Sequence, residues 1–251
     1  MHYLQEQSNI TLKQLHEIYE AVLALTSQAE ALLADHTLLR PLKEEFCKVG
    51  FVQIAGIVNP EPLTMLMETL IPILSPLAGE VVLLHEEKTT DVLSDGHHFR
   101  RVDPDGIQVA DVRRDMMLLF DHLGLTDFGS RLATRVTPIV HRIVGPLSYR
   151  VLCFNFYNEG DYISAHNDRH RGERVNIQFP ISLGTVCGIR VLSDGLFKTH
   201  YDVPGSMNIL GARVWHDVPP LLMTTAGVTP KRGTLSLKFM PDKEDEATSN
   251  D

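Results

Sequence analysis

YRVLCFNFY at residues 149–157 and YISA at 162–165 are short, apolar and partly alternating, with Asn158-Glu159-Gly160 between them. Runs of this kind, bounded by turn residues, are β-strands. The pattern repeats at Val175–Leu183, Gly188–Leu192, Ser206–Leu210 and Thr234–Met240, punctuated by Gly and Pro. Several short strands at this spacing predict a sandwich or barrel. Upstream the period changes. Leu12, Leu15, Ile18, Tyr19, Val22, Leu23 and Leu25 recur at helical spacing, so Thr11–Ala34 is read as a helix, with Thr11 and Gln14 as its capping box. Gly50–Val58 reads as a first strand, Leu63–Leu74 as a helix started by Asn59-Pro60-Glu61-Pro62, and Met116–Val144 as another helix. Between them His85–Arg114 is polar and rich in turn dipeptides, the signature of a lid or binding loop. The expected class is therefore α+β with a mainly β core. One domain spans residues 1–241, its N-terminal helices, first strand and lid in 1–145 and its β-rich core in 146–241, followed by an acidic disordered tail at 242–251.

The chain has 251 residues, 43% of them hydrophobic and 22% charged, and a formal charge of −9. This is globular composition, long enough to fold without disulfides. The last ten residues carry five acids and one lysine, yet the rest is still acidic. Such a body argues against nucleic acid and anionic membranes as general partners. Cys47, Cys153 and Cys187 form no CxxC motif and read as free thiols of a reducing compartment. The N-terminus lacks signal-peptide character, and Pro72, Pro76, Gly79 and Glu80 interrupt the most apolar stretch, so a cytoplasmic protein is expected.

Chemistry concentrates at His166-Asn167-Asp168. On a strand, residues two apart share a face, so His166 and Asp168 can grip one ion from one side. His216, fifty residues on, supplies a third ligand from a distant strand. Two imidazoles and one carboxylate on one face leave adjacent coordination positions open, which suits non-haem Fe(II) better than Zn. The dipeptide-spaced motif alone is weak, since His200-Tyr201-Asp202 repeats it. Only fifteen residues separate His200 from His216, little room for intervening barrel strands, so His200 and Asp202 are read as background. Asn155 and Tyr157 share a face and carry hydrogen-bonding ends. Arg232 opens the last strand, where a guanidinium can clamp a dicarboxylate and Thr234 can add a hydroxyl.

NxYxxG, then HxD, then a distal His, then Arg at the start of a final strand resembles the pattern of the 2-oxoglutarate and Fe(II) dependent dioxygenases, with spacing closest to the AlkB-type branch. The resemblance covers Tyr149–Phe239. It implies a double-stranded β-helix, or jelly roll, with Fe(II) on His166, Asp168 and His216. It implies 2-oxoglutarate as co-substrate, chelating the metal at one end and held at the other by Arg232, with contacts from Asn155 and Tyr157. O2 is the second co-substrate, and succinate and CO2 are released. AlkB-type enzymes carry a second arginine near the end of the last strand; Lys238 stands there, keeping the charge but losing the fork. A carboxylate at 168 implies hydroxylation, demethylation, desaturation or cyclisation rather than halogenation.

The expected substrate is a small molecule. Arg169 and Arg174, after the metal strand, and Arg100, in the polar lid, are candidate contacts to an anionic group; Trp215, beside a ligand, is a candidate pocket wall. The alternatives are an AlkB-type demethylase of nucleic acid or protein, disfavoured by the acidic body, and a non-catalytic jelly-roll sensor, disfavoured by a complete ligand set beside Arg232. His122 and His141 fall in helical stretches and read as structural.

Overall fold

The computed structural model describes residues 10–81, 97–107, 109–169, 174–222 and 231–241. The acidic tail lies outside them, as does much of the proposed lid. α1 (Leu12–Leu23) starts at the expected capping box: Thr11 Oγ1 accepts from the Gln14 amide, and the Gln14 side chain accepts from the Thr11 amide. The helix does not run on to Ala34. Leu25 bridges to Val58, and Thr26 accepts from the Ala29 amide, capping a separate α2 (Ser27–Ala34). A cap in mid-segment outweighs helical periodicity because it satisfies amides a new helix would leave orphaned. α3 (Arg40–Val49) leads into β1 (Phe51–Ile54), shorter than the strand expected at 50–58.

α4 (Pro60–Leu74) follows, capped by the Asn59 side chain on the Glu61 amide. β2 (Gly79–Val81) pairs with β3 (His97–Val102). The stretch read as a lid is therefore strand at 97–102, and α5 (Ala110–His122) begins inside it. The helix expected at 116–144 is divided as well: Gly124, at φ 72°, separates α5 from α6 (Leu125–Ile143). A left-handed residue ends a helix at little cost only when it is glycine.

The remaining strands are β4 (Leu147–Tyr157), β5 (Tyr162–His166), β6 (Val175–Leu183), β7 (Gly188–Ser193), β8 (Leu196–Tyr201), β9 (Met207–Gly211), β10 (His216–Val218) and β11 (Lys231–Pro241). Neighbours run β1-β9-β6-β11-β4-β3-β5-β10-β7-β8, all antiparallel. β3 joins two layers: Arg100–Val102 pair with β4, while His97 and His98 pair with β5. At the far ends Gln53 donates to the Tyr201 carbonyl (3.0 Å) and the Phe51 ring lies 4.5 Å from that of His200. The sheet thus curls into a nearly closed roll, the expected mainly β core. β9, expected at Ser206–Leu210, lies between His200 and His216, so that interval does hold a strand.

The alternation of β4, β6 and β11 sorts residues by face. Leu152, Phe154 and Phe156, then Ile177, Phe179 and Ile181, then Leu235, Leu237 and Phe239 turn outward into one core with Leu63, Met67 and Leu70 of α4 and Phe128, Leu132 and Val136 of α6. The intervening Cys153, Asn155, Tyr157, Asn176, Gln178, Arg232, Thr234, Ser236 and Lys238 line the inside. The helix-sheet interface supplies the hydrophobic stabilisation, and the roll keeps a polar interior.

Candidate active site

β5 and β10 are adjacent antiparallel strands, and their register sets His166 directly opposite His216. Facing residues of such a pair bring their Cβ atoms to about 5 Å, and here the two imidazole centres lie 4.3 Å apart. Asp168 follows just past the end of β5, held by a hydrogen bond from its amide to the Ala212 carbonyl (2.9 Å). Ligand atoms of His166, Asp168 and His216 all lie within 4.8 Å of one another, the only such cluster among the described residues.

Each candidate ligand is aimed by a neighbour. His166 Nδ1 donates to the Ser164 carbonyl (2.8 Å) and His216 Nδ1 to the Val214 carbonyl (3.0 Å), fixing the tautomer that leaves Nε2 as a lone-pair donor. Asn176 Nδ2 donates to Asp168 Oδ2 (2.9 Å), while Oδ1 stands 4.0 Å from His166 Nε2. That separation is too long for a hydrogen bond and suits two ligands of one ion. Burial, then the adjacent His216, push the His166 imidazole well below its ordinary 6.5, against the pull of Asp168. The ring is neutral at physiological pH, as a metal ligand must be.

The cluster opens onto a narrow, polar-lined cavity. Asn155, Tyr157, Arg232, Thr234 and Lys238 all line it, as does Arg174. Burial pushes the Tyr157 phenol up to about 12, against the nearby charge of Arg232, so its hydroxyl remains a donor. The hydroxyls of Thr234 and Ser236 and Nε of Arg174 are buried with no hydrogen-bond partner among the described residues. Buried polar atoms are seldom left so, and here they belong to residues that line the cavity.

Three expected contacts are elsewhere. Arg100 is exposed, and its neighbour Arg101 faces the cavity instead, because one step along β3 reverses the face. Arg169 is exposed and Trp215 half-buried, and neither lines the cavity. Lys238 forms an ion pair with Asp103. Arg232 is gripped by Asp202, whose side chain is 1% exposed, through Nε (2.6 Å) and Nη2 (3.0 Å). Burial works against the guanidinium charge, but Asp202 more than offsets it and raises the Arg232 pKa. Asp202 is therefore part of the site and not background, whereas His200 lies on β8 against Phe51. Asn176 and Ser182 had no motif to announce them. His97 is buried with its ring 4.8 Å from that of His166, and its Nδ1 accepts from the Ser164 amide (3.0 Å); it was hidden in a stretch read as loop.

No family model and no curated protein matches the sequence. Solved structures do. SnoN, a non-heme alpha-ketoglutarate dependent epimerase from nogalamycin biosynthesis, superposes with a TM-score of 0.55 at 16% identity, over 82% of this chain and 84% of that one. Its complex with Fe3+, alpha ketoglutarate and nogalamycin RO gives 0.54 at 15% identity, over 82% and 85%. A prolyl hydroxylase from Trichoplax adhaerens, in complex with a hypoxia inducible factor peptide fragment, gives 0.55 at 11% identity, over 89% and 98%. At these identities the likeness is one of fold, and the fold this chain adopts is the jelly roll of the 2-oxoglutarate and Fe(II) dependent oxygenases.

Proposed function

We propose that this protein is a non-haem Fe(II) and 2-oxoglutarate dependent dioxygenase that oxidises a C–H bond of a small anionic molecule, most simply by hydroxylation. The observation that carries this reading is the convergence of His166, Asp168 and His216 beside a polar cavity inside an oxygenase-type roll. His166, Asp168 and His216 would hold Fe(II), the imidazoles neutral and the carboxylate oriented by Asn176. Asn155, Tyr157, Thr234 and Arg232 would bind 2-oxoglutarate, and Lys238 lines the same cavity. When bound, the metal and co-substrate supply the chemistry that activates O2, releasing succinate and CO2. The chain contributes orientation, a fixed field and exclusion of water. Arg101 and Arg174 are the cavity cations without an acid partner in hydrogen-bond contact among the described residues, which supports an anionic group on the substrate. Its AlkB-type spacing remains a resemblance of sequence. Three free cysteines, one exposed, support a reducing, cytoplasmic setting; among the described residues no helix is long and apolar enough to cross a membrane.

Anaerobic titration of the protein with Fe(II) and 2-oxoglutarate tests the reading. A visible charge-transfer band that needs both additions is expected, followed by succinate release coupled to a substrate in a metabolite screen. His166→Ala or Asp168→Ala variants that kept the band and the turnover would overturn the metal assignment.

A further inference from the structure

Arg232 and Asp202 meet with side chains 2% and 1% exposed, and the contact is two-pronged. Ser182 Oγ donates a further hydrogen bond to Asp202 Oδ2 (2.6 Å), and Arg232 Cζ lies 4.9 Å from the centre of the Tyr157 ring. A guanidinium carries five N–H groups in a planar fork. One complete edge of this fork, Nε–H with one Nη2–H, is committed to the protein's own carboxylate. Nη1 and the second Nη2 hydrogen are what remain for a ligand.

Charge matters as much as geometry. A lone buried arginine is costly to keep and attracts any carboxylate that neutralises it. Here neutralisation is already complete. A distal carboxylate arriving on the free edge would place two like charges around one cation in a buried site, which weakens its binding. The other cavity-lining cation of β11, Lys238, is likewise matched by Asp103, and between the two lie the neutral hydroxyls of Thr234 and Ser236. Arg174 precedes β6 at the end paired with Phe239, whereas Arg232 pairs with Ser182 at the opposite end, so the two arginines enter the cavity from opposite ends of the strand.

We propose that Asp202 is a specificity-determining residue of the keto-acid pocket. By neutralising Arg232 and holding its Nε edge, it lowers the preference for a distal carboxylate, so that 2-oxo acids with uncharged tails bind nearly as well as 2-oxoglutarate. The proposal rests on the keto-acid reading of the cavity.

Calorimetry under anaerobic conditions on the full-length, Fe(II)-loaded protein tests it. The probes are 2-oxoglutarate and 2-oxovalerate, which has a methyl in place of the distal carboxylate. In the wild type the two dissociation constants should agree within about tenfold. Asp202→Asn, which keeps the shape and removes the charge, should shift the ratio toward the diacid by about tenfold or more, leaving 2-oxovalerate and Fe(II) affinity unchanged. A wild type that prefers the diacid by more than about a hundredfold would overturn the proposal without any variant. So would an Asp202→Asn protein with an unchanged ratio, or one that binds 2-oxoglutarate more weakly, since Asp202 would then only orient Arg232. If Fe(II) binds but neither keto acid does, the cavity reading itself fails; if Fe(II) does not bind, the ligand assignment does.

Discussion

Asn176 touches no metal position, yet it fixes which oxygen of Asp168 faces the two imidazoles. Removing such an orienting partner typically weakens metal binding by about 10–100-fold. Asn176→Ala should therefore raise the Fe(II) dissociation constant by that factor in a metal titration, while the fold, followed by circular dichroism, is retained. His166 gives a pH prediction. Its imidazole is held well below 6.5, mainly by burial. Under acid the unfolded chain takes up a proton that the metal-free native state refuses. Stability is thus fully present above about pH 6.5 and is lost as pH falls from there toward the folded pKa. The melting temperature of metal-free protein should drop between about pH 7 and pH 5, and His166→Asn should flatten that slope. At this scale HxD and the distal histidine were legible because their spacing is local or their residue type is rare. Asp202 was not, because it meets Arg232 across thirty residues of sequence. Arg100 was chosen over Arg101 because polar strand residues carry no hydrophobic marker of which face is inside.

β8 shows why one strand went unread. Its residues are intermediate or exposed along its whole length, so it carries no apolar alternation. What makes it a strand is pairing with β7 from Gly188↔Tyr201 to Ser193↔Leu196. The two backbones crowd at one end: a Cβ on Gly188 would lie 2.2 Å from the His200 carbonyl oxygen. Backbone cannot yield as a side-chain tip can, so Gly188→Ala should destabilise the protein by about 1–3 kcal/mol in denaturant unfolding. The same variant moves the strand that leads into Asp202, so loss of 2-oxoglutarate affinity should accompany it. β3 was missed for a related reason. HHFRRV has the burial of a strand, but its exposed positions are histidine and arginine among turn dipeptides, and its partners in the roll, β4 and β5, lie more than fifty residues away. The two long helices were recognised by period and misjudged in extent, because Thr26 and Gly124 interrupt them without breaking the apolar pattern.

Across the molecule the three candidate ligands join β5 to β10 within the layer that lacks the helix-backed core. A bound metal should brace that layer. At a hundredfold excess over its dissociation constant it contributes about 2.7 kcal/mol, which for a chain this size raises the melting temperature by roughly 5–11 °C. Scanning calorimetry with and without Fe(II) under nitrogen should show the shift, a chelator should reverse it, and Asp168→Ala should abolish it. The sequence by itself determined the α+β class with a mainly β core and pointed to His166, Asp168 and His216 as candidate ligands, because strand periodicity, turn residues and the spacing of these side chains are written in consecutive or similarly ordered positions; the keto-acid reading came from the resemblance to a known family. Tertiary structure alone decided that the roll's apolar side faces outward to the helices, that Arg101 enters the cavity in place of Arg100, and that Asp202 and Asp103 neutralise the two cavity-lining cations of the last strand. Face, register and ion pairing depend on which distant segments become neighbours, and no local pattern in the chain encodes that.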